Sequence, residues 1–431
     1  MESEDEEKMK KWKLAMLLVL MLCVLTGCTF IPFSALGSLY RQNTNVAHSE
    51  MEDSEDTVTI SRELYERYSQ LDELVELLDA VENHYYKEPD MTEVLQGASA
   101  GLLKGLGDPY TFYYNPEEWI EMWEEDEGEY AGVGILISSQ IDRTNKNDRG
   151  VCVISRVFKG SPAEAAGVQR GDILYRVGED LYVWPETLQD AVDIMRGTPG
   201  TPVDVTFLRN GEELTFTMTR AIINVNQVES TMLTDEIGLI AMYEFAGKGD
   251  QEFETALNDL LARGAKGLIV DLRDNPGGWV DAAQHVGDLF MDAGDLCYLV
   301  YRNGSEDHCY PTRDGKTDIP LVLLVNENSA SASEILTAAL RERAGATVVG
   351  VQTFGKGVVQ GVLPVGVNGS GFQMTIAEYK TPDGNSVHEV GLTPDVEVPL
   401  EEGDNGGYDF ADAEHDPQLG KALEIMKDKL K

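Results

Sequence analysis

The stretch that decides the fold is Leu321-Val-Leu-Leu-Val-Asn-Glu-Asn-Ser-Ala-Ser-Ala-Ser-Glu334. Its apolar start predicts a buried strand over residues 321–325, and a helix is expected from Ile335 onward. Ser331 lies in the turn between them, where a hydroxyl is exposed and unpaired helix N–H groups can meet a developing oxyanion. Ser331 and Glu334 also have the Ser-x-x-Glu spacing of a capping box, which taken alone favours a structural role.

The residues around this turn predict an α/β layer, because apolar strand candidates alternate with helices beyond residue 235. The strand candidates are 239–242, 268–272, 321–325 and 347–350. Another turn, Asp271-Leu-Arg-Asp-Asn-Pro-Gly-Gly278, has glycines that can leave N–H groups free for an anion. Its alternative interpretation is a tight connection from a strand to a helix.

A serine hydroxyl needs a base to become a nucleophile. No histidine has a trypsin-like or nucleophile-elbow context, and there is no Gly-x-Ser-x-Gly sequence. Lys356, between two glycines, is the remaining candidate, because burial disfavours the ammonium form. Gln360 is placed to orient it, although Lys356 taken alone favours a surface lysine. The histidines set aside are His48, His84, His285, His308, His388 and His415.

A second pattern fills residues 128–220, where short β-rich runs include a hairpin expected over 203–218. The motif Gly132-Val133-Gly134-Ile135 resembles the carboxylate-binding loop of PDZ domains, and the blocks at 161–167 and 171–174 follow in the PDZ order. A PDZ domain adds its ligand as an extra strand and holds the terminal carboxylate with backbone N–H groups. The groove is expected between the strand at Ile135 and a helix near Pro185.

Together these residues resemble the carboxy-terminal processing (tail-specific) serine peptidases, over roughly residues 60–400. Gly107-Asp-Pro-Tyr-Thr111 and Gly391-Leu-Thr-Pro-Asp395 belong to the same resemblance. It implies a crotonase- and Clp-protease-like α/β core, a substrate tail bound by the PDZ domain, and no cofactor or metal. The site residues that it implies are Ser331 as nucleophile, Lys356 as base, Gln360 as its assistant, and the N–H groups of Gly277 and Ala332 as oxyanion hole.

Three rival functions are weaker. A PDZ-bearing Ser-His-Asp protease lacks its histidine context, and a non-catalytic PDZ scaffold would not need Ser331, Lys356 and Gln360 together. An acyl-CoA enzyme of the crotonase type fits the core architecture but not a PDZ domain outside the cytoplasm. Nucleic acid is excluded as a partner, because a formal net charge of -42 leaves no basic surface for phosphates.

The N-terminus predicts attachment to a bacterial cell membrane. Four lysines precede an apolar run over 14–36, which is long enough to span a bilayer and places the catalytic part outside the cytoplasm. Leu25-Thr-Gly-Cys28 also resembles a bacterial lipobox, so lipid anchoring at Cys28 is the alternative.

The chain is therefore expected to have seven parts. An amphipathic stripe in its helical segment packs on the rest of the chain or pairs with a second copy in a homodimer. Cys297 and Cys309 flank a turn at Asn303-Gly304, so they either form a disulfide or remain free thiols. The parts are a cytoplasmic tail (1–13), a transmembrane anchor or signal segment (14–36), a flexible tether (37–57), a helical segment (58–126), a PDZ domain (127–222), a protease core (223–400) and a loosely ordered acidic tail with a short final helix (401–431).

Overall fold

The computed structural model describes residues 59–126, 128–140, 149–292, 294–309, 317–366, 368–400 and 410–431. The tail, anchor and tether expected over 1–57, and the lipobox cysteine with them, lie outside these residues. The chain divides into two compact units, up to Met91 and from Thr92 onward. Among the helices in the described part of the chain, none is long and apolar enough to cross a membrane.

The first unit contains the first helices of the predicted helical segment (58–126). Ser61 begins α1, and its hydroxyl accepts a hydrogen bond from the Leu64 N–H (3.2 Å), which satisfies one of the unpaired donors at the helix start. Neither helix contains a fully buried residue. The elements are α1 (Arg62–Tyr68), a 3₁₀ turn (Ser69–Leu71) and α2 (Asp72–His84).

The predicted helical segment continues with α3, and a short strand and helix follow it. Trp119 on α4 fills the space beside Gly371 of a later strand, where an added Cβ would lie 2.0 Å from the indole ring. The elements are α3 (Met91–Lys104), β1 (Phe112–Tyr114) and α4 (Pro116–Asp126).

Residues 129–224 form a small β-rich domain, whose core includes Ile154, Leu174 and Phe207 with no exposed surface. The hairpin predicted over 203–218 is confirmed as β7 and β8, which are joined at Asn210-Gly211. Its main sheet has the order β3-β4-β5-β7-β8, while β2 pairs with β9 where the chain enters and leaves the domain. The elements are β2 (Glu129–Gly132), β3 (Ile135–Gln140), β4 (Val151–Val157), α5 (Pro162–Ala166), β5 (Ile173–Val177), β6 (Leu181–Tyr182), α6 (Leu188–Met195), β7 (Pro202–Arg209), β8 (Glu212–Thr219) and β9 (Ala221–Asn224).

The α/β layer expected beyond residue 235 is present, and all four predicted strands are confirmed as β11, β12, β15 and β16. The central sheet has the order β10-β11-β12-β15-β16-β19 and is parallel except for β10. The elements are β10 (Val228–Met232), β11 (Ile237–Met242), α7 (Gly249–Ala262), β12 (Gly267–Asp271), α8 (Val280–Asp288), β13 (Cys297–Tyr301), β14 (Glu306–Cys309), β15 (Leu321–Val325), α9 (Ala332–Ala344), β16 (Thr347–Gly350), β17 (Val358–Val365), β18 (Ser370–Lys380), β19 (Val396–Glu397) and α10 (Pro417–Lys429).

Both faces of the central sheet are buried, which explains its nearly continuous apolar strands. One face packs on α7, α8 and α9, and the other on α10, where Leu419, Ala422 and Met426 are at most 1 % exposed. The final helix was expected in a loosely ordered acidic tail. It packs on the sheet instead, because its apolar residues recur on one face despite the acidic composition around them.

A second sheet has the strand order β1-β18-β13-β14, with β17 paired to β18. Cys297 and Cys309 are directly opposite each other on β13 and β14, as the turn signal predicted. Both thiols are buried and free, so of the two alternatives the structure contains the unpaired one.

Candidate active site

Ser331 lies at the start of α9, after the turn that follows β15, and is 8 % exposed. Its backbone has φ 56° and ψ -118°, whereas an ordinary helix cap is extended. A non-glycine residue held there costs about 1–3 kcal/mol, and such strain persists where the surrounding structure imposes it. The same sharp strand-to-helix turn presents nucleophilic serines in other hydrolases.

Glu334 ties this turn to the loop that carries Lys356. Its buried carboxylate accepts hydrogen bonds from the backbone N–H groups of Ser331 (3.0 Å), Gly355 (2.8 Å) and Lys356 (2.9 Å). It also accepts one from Thr353 Oγ1 (2.5 Å). Burial raises the pKa of Glu334, against the lowering effect of these four donors. One carboxylate therefore fixes the backbone on both sides of the site.

The glycine turn after β12 packs directly on the serine. A Cβ on Gly277, whose φ is 108°, would lie 2.7 Å from Ser331 Cβ and 2.9 Å from the Ala332 nitrogen. The Gly277 N–H donates to Asn275 Oδ1 (2.9 Å), while the buried Asn275 carbonyl accepts from Ala330 N–H (3.1 Å). Across the described residues, the Ala332 N–H makes no hydrogen bond.

The two predicted oxyanion donors thus lie in adjacent turns but differ in availability. Among the residues that the structure describes, the Ala332 N–H at the helix start has no acceptor, whereas the Gly277 N–H is held by a side chain.

Lys356 is half-buried, and its Nζ lies 4.7 Å from the centroid of the Tyr110 ring. Burial lowers its pKa, while the charges of Asp108 and Glu334 act in the opposite direction. The hydrogen bonds of the described side chains include none between Lys356 Nζ and Ser331 Oγ. The structure brings the two segments together through Glu334, and the lysine side chain extends toward Tyr110.

Gln360 lies on β17 at an irregularity in its pairing with β18. Its Nε2 donates to Thr375 Oγ1 (3.2 Å), and the Thr375 N–H donates to Thr111 Oγ1 (3.1 Å). The predicted assistant is therefore anchored to β18 and, through it, to the segment before β1.

A cleft of about 440 Å³ opens beside this segment; we call it the Tyr110 cleft. Its walls include Asp108, Pro109, Tyr110, Phe354, Thr375 and His388. Nδ1 of His388 is buried and has no hydrogen-bond partner within the described ranges. His388 was set aside from the sequence, and only its place in this wall brings it to the site.

The loop Gly132-Val133-Gly134-Ile135 runs from the last residue of β2 to the first residue of β3. Gly134 has φ 86°, and a Cβ there would lie 2.2 Å from Ser161 Cβ, so only glycine fits. The carbonyls of Val133 and Gly134 accept from Ala163 N–H (2.9 Å) and Phe158 N–H (3.0 Å). The loop is thereby fixed on the 161–167 block that accompanied it in the sequence.

Arg156 on β4 joins this domain to the core. Its guanidinium lies 3.7 Å from the ring centroid of Tyr243, donates to the Asn226 carbonyl (2.7 Å) and pairs with Glu229 (3.3 Å). Cation–π and ion-pair contacts therefore add to the covalent connection.

Several site residues escaped the sequence argument. Glu334 was noted only for its capping spacing, and Thr353 was not singled out. The Gly107–Thr111 stretch was noted as a motif without a role, although Asp108 and Tyr110 lie beside the lysine. Over the residues described, no cluster of three or more His, Cys, Asp or Glu side chains could hold a metal ion.

Comparison with known families agrees with these features. The model of Peptidase family S41 matches residues 236–398, that of a PDZ domain matches 153–209, and that of the Activating protease CtpB N-terminal domain matches 29–118.

Similar proteins span most of the chain. A carboxy-terminal-processing protease of Bartonella bacilliformis is 34 % identical over 79 % of this chain and 78 % of its own length. The carboxy-terminal processing protease CtpA of Bacillus subtilis is 33 % identical over 77 % of this chain and 70 % of its own.

Solved structures show the same fold. The photosystem II D1 C-terminal processing protease is 27 % identical with a TM-score of 0.52, over 76 % of this chain and 92 % of its own. A putative S41 protease of Bacteroides fragilis has a TM-score of 0.54 at 17 % identity, over 80 % of this chain and 91 % of its own. The chain belongs to peptidase family S41 and is a serine-type carboxy-terminal processing peptidase with a PDZ domain.

Proposed function

We propose that the chain is an endopeptidase with a Ser331–Lys356 dyad. Neutral Lys356 takes the proton of Ser331 Oγ as that oxygen attacks the peptide carbonyl carbon. The resulting ammonium then protonates the leaving amine, and water releases the acyl-enzyme in the second half of the reaction. The observation that carries this proposal is the strained φ of Ser331 at a helix start whose buried Glu334 also binds the lysine loop.

The remaining roles follow the expected pattern. Ala332 N–H is available for the oxyanion, and Gly277 N–H becomes available once it leaves Asn275 Oδ1. Gln360 orients the lysine from β17. For the dyad to form, Lys356 Nζ must come within hydrogen-bonding distance of Ser331 Oγ.

The test uses the purified full-length chain and casein as an unstructured substrate. Ser331→Ala and Lys356→Ala should each lower kcat by at least about 10³-fold while the thermal unfolding midpoint stays near that of the wild type. Wild-type rates in either folded variant would refute the dyad.

Substrate selection is assigned to the PDZ domain, through Gly132, Val133, Gly134 and Ile135. A substrate tail would add beside β3, with its carboxylate at the glycine loop. A matched pair of peptides, one with a free and one with an amidated C-terminus, should differ in kcat/KM. Equal values would remove tail recognition and leave the peptidase assignment intact.

The proposed location is the bacterial cell membrane, with the catalytic part outside the cytoplasm and residues 14–36 as a single span or as the signal of a lipoprotein. A Cys28→Ser chain that leaves the membrane fraction would indicate lipid anchoring, and one that stays would indicate a span. A homodimer through the helical segment is tested by sedimentation of the full-length chain.

A further inference from the structure

The segment between α3 and β1 contains a carboxylate fixed by its own turn. Asp108 accepts hydrogen bonds from the Tyr110 N–H (2.9 Å) and from Thr111 Oγ1 (2.6 Å). Thr111, 4 % exposed, in turn accepts from the Thr375 N–H (3.1 Å) on β18. The carboxylate is therefore attached to the strand that also anchors Gln360.

The Lys356 side chain extends to this segment. Its Nζ lies over the Tyr110 ring at 4.7 Å from the centroid, a geometry in which the ring face attracts a cation. Asp108, Tyr110 and Gly355 line the same cleft. No ion pair within 4 Å joins Asp108 and Lys356 in the described part of the chain, so the carboxylate acts on the ammonium through space.

We propose that Asp108, together with the Tyr110 ring, is a positioning residue for the base: it holds the Lys356 side chain and stabilises its ammonium. The ammonium forms when Lys356 takes the Ser331 proton, so a carboxylate fixed beside it favours the transition state over the neutral ground state. This inference rests on the dyad proposed above.

Other charged and titratable groups lie near Lys356, but they are placed differently from Asp108. Glu334, on α9, is occupied by four hydrogen bonds from the Ser331 turn and the lysine loop. His388 and Glu389 also line the cleft, but the charges that raise the pKa of Lys356 are those of Asp108 and Glu334.

Asp108 keeps its charge to a lower pH than an ordinary aspartate does. Burial would raise its pKa, but hydrogen bonds from Thr111, Thr375 and Tyr110, with the charge of Lys356, hold that pKa below its ordinary value. Reciprocally, the Asp108 charge keeps the pKa of Lys356 from falling as far as burial alone would take it.

The deciding measurement is the pH dependence of casein hydrolysis by the full-length chain carrying Asp108→Asn. Loss of the charge lets the pKa of Lys356 fall further, so the acid limb of kcat/KM moves to lower pH. At the plateau, kcat falls roughly tenfold, because the nascent ammonium has lost a charged neighbour. The ratio of variant to wild-type rate therefore rises as the pH is lowered, which a merely structural defect would not produce.

Three further variants complete the test. Asp108→Glu restores the charge and should return the acid limb toward the wild-type position. Asp259→Asn makes the same chemical change in an exposed helical ion pair and should leave the profile unmoved. Tyr110→Leu removes only the ring and should move the acid limb of kcat/KM to lower pH by a smaller amount. If Asp108→Asn does not fold, Tyr110→Leu provides the test.

The inference is overturned if the acid limb of kcat/KM in Asp108→Asn stays at the wild-type pH, even if kcat falls. If Asp108→Asn does not fold, the same result in Tyr110→Leu overturns it. Failure of the dyad itself would look different, since Lys356→Ala would then keep its activity whatever Asp108 does.

Discussion

The two halves of the proposed dyad are held in different ways. Ser331 is fixed through its backbone, with a buried carboxylate on its N–H and a glycine turn against its Cβ. Lys356 has an equally fixed backbone, but its long side chain rests on a tyrosine ring. The nucleophile is thus built rigidly, and the base is adjustable.

The largest expected effect comes from removing the anchor that both halves share. Glu334→Leu keeps the volume but leaves the buried N–H groups of Ser331, Gly355 and Lys356 without an acceptor. Each unsatisfied group costs about 1–3 kcal/mol, so the free energy of unfolding should drop by several kcal/mol and activity should be lost.

Urea unfolding and casein hydrolysis measure this prediction, with Glu334→Gln as the matched variant that keeps one acceptor oxygen. Glu76→Leu at an exposed position of α2 controls for the substitution itself. If Glu334→Leu unfolds at the same urea concentration as the wild type, the hydrogen bonds to Glu334 do not contribute to stability.

The second largest effect is expected from a change that disturbs only the Ser331 turn. Gly277→Ala places a methyl group 2.7 Å from Ser331 Cβ in a backbone with φ 108°, so the serine turn must move. We expect kcat to fall about 100-fold or more, since misplacing a reacting group by about 1 Å costs that much. KM should change less.

Gly304→Ala is the control, because Gly304 also has a positive φ (78°) but open space around it. It should cost about 1 kcal/mol of stability and leave kcat unchanged. Similar losses of kcat in the two variants would mean that the close approach to Ser331 does not matter.

A smaller effect concerns pH. Because burial raises the pKa of Glu334, the folded chain binds that proton more tightly than the unfolded chain does. The contribution of this group to stability is therefore complete below its ordinary pKa, near 4.5, and is lost as the pH rises through the folded value. The free energy of unfolding of the wild type minus that of Glu334→Gln should fall over this window. A difference that rises with pH would show that the four donors outweigh burial.

The backbone of the site was easier to predict from the sequence than its side-chain contacts. The strands were predictable because buried parallel strands have continuous apolar runs, and Ser331 stood out at the end of one of them. The Ser-x-x-Glu spacing predicted the contact between Glu334 and the Ser331 N–H. The other three donors to that carboxylate belong to residues 353–356, and only tertiary packing brings them there.

Long separations explain the remaining omissions. Asp108 and Tyr110 lie more than 200 residues before Lys356, and a short motif carries no distance information. His388 lacked any sequence context for catalysis, and its position in the cleft depends on the fold. Helix α10 was predictable in part, since Leu419, Ala422 and Met426 recur on one face of an otherwise acidic segment.

The smallest effect is expected from a buried tyrosine that contacts the Ser331 turn. Tyr379, 1 % exposed on β18, donates its hydroxyl to the Ser331 carbonyl at 3.4 Å, a long hydrogen bond. If Glu334 and Gly277 already fix the serine, Tyr379→Phe should lower kcat only about two- to threefold and stability by about 1 kcal/mol or less. Steady-state kinetics and urea unfolding measure both quantities. If Tyr379→Phe loses as much kcat as Gly277→Ala, the Ser331 turn is held mainly by the contact at the Ser331 carbonyl. The contacts at the Ser331 N–H and Cβ would then be less important.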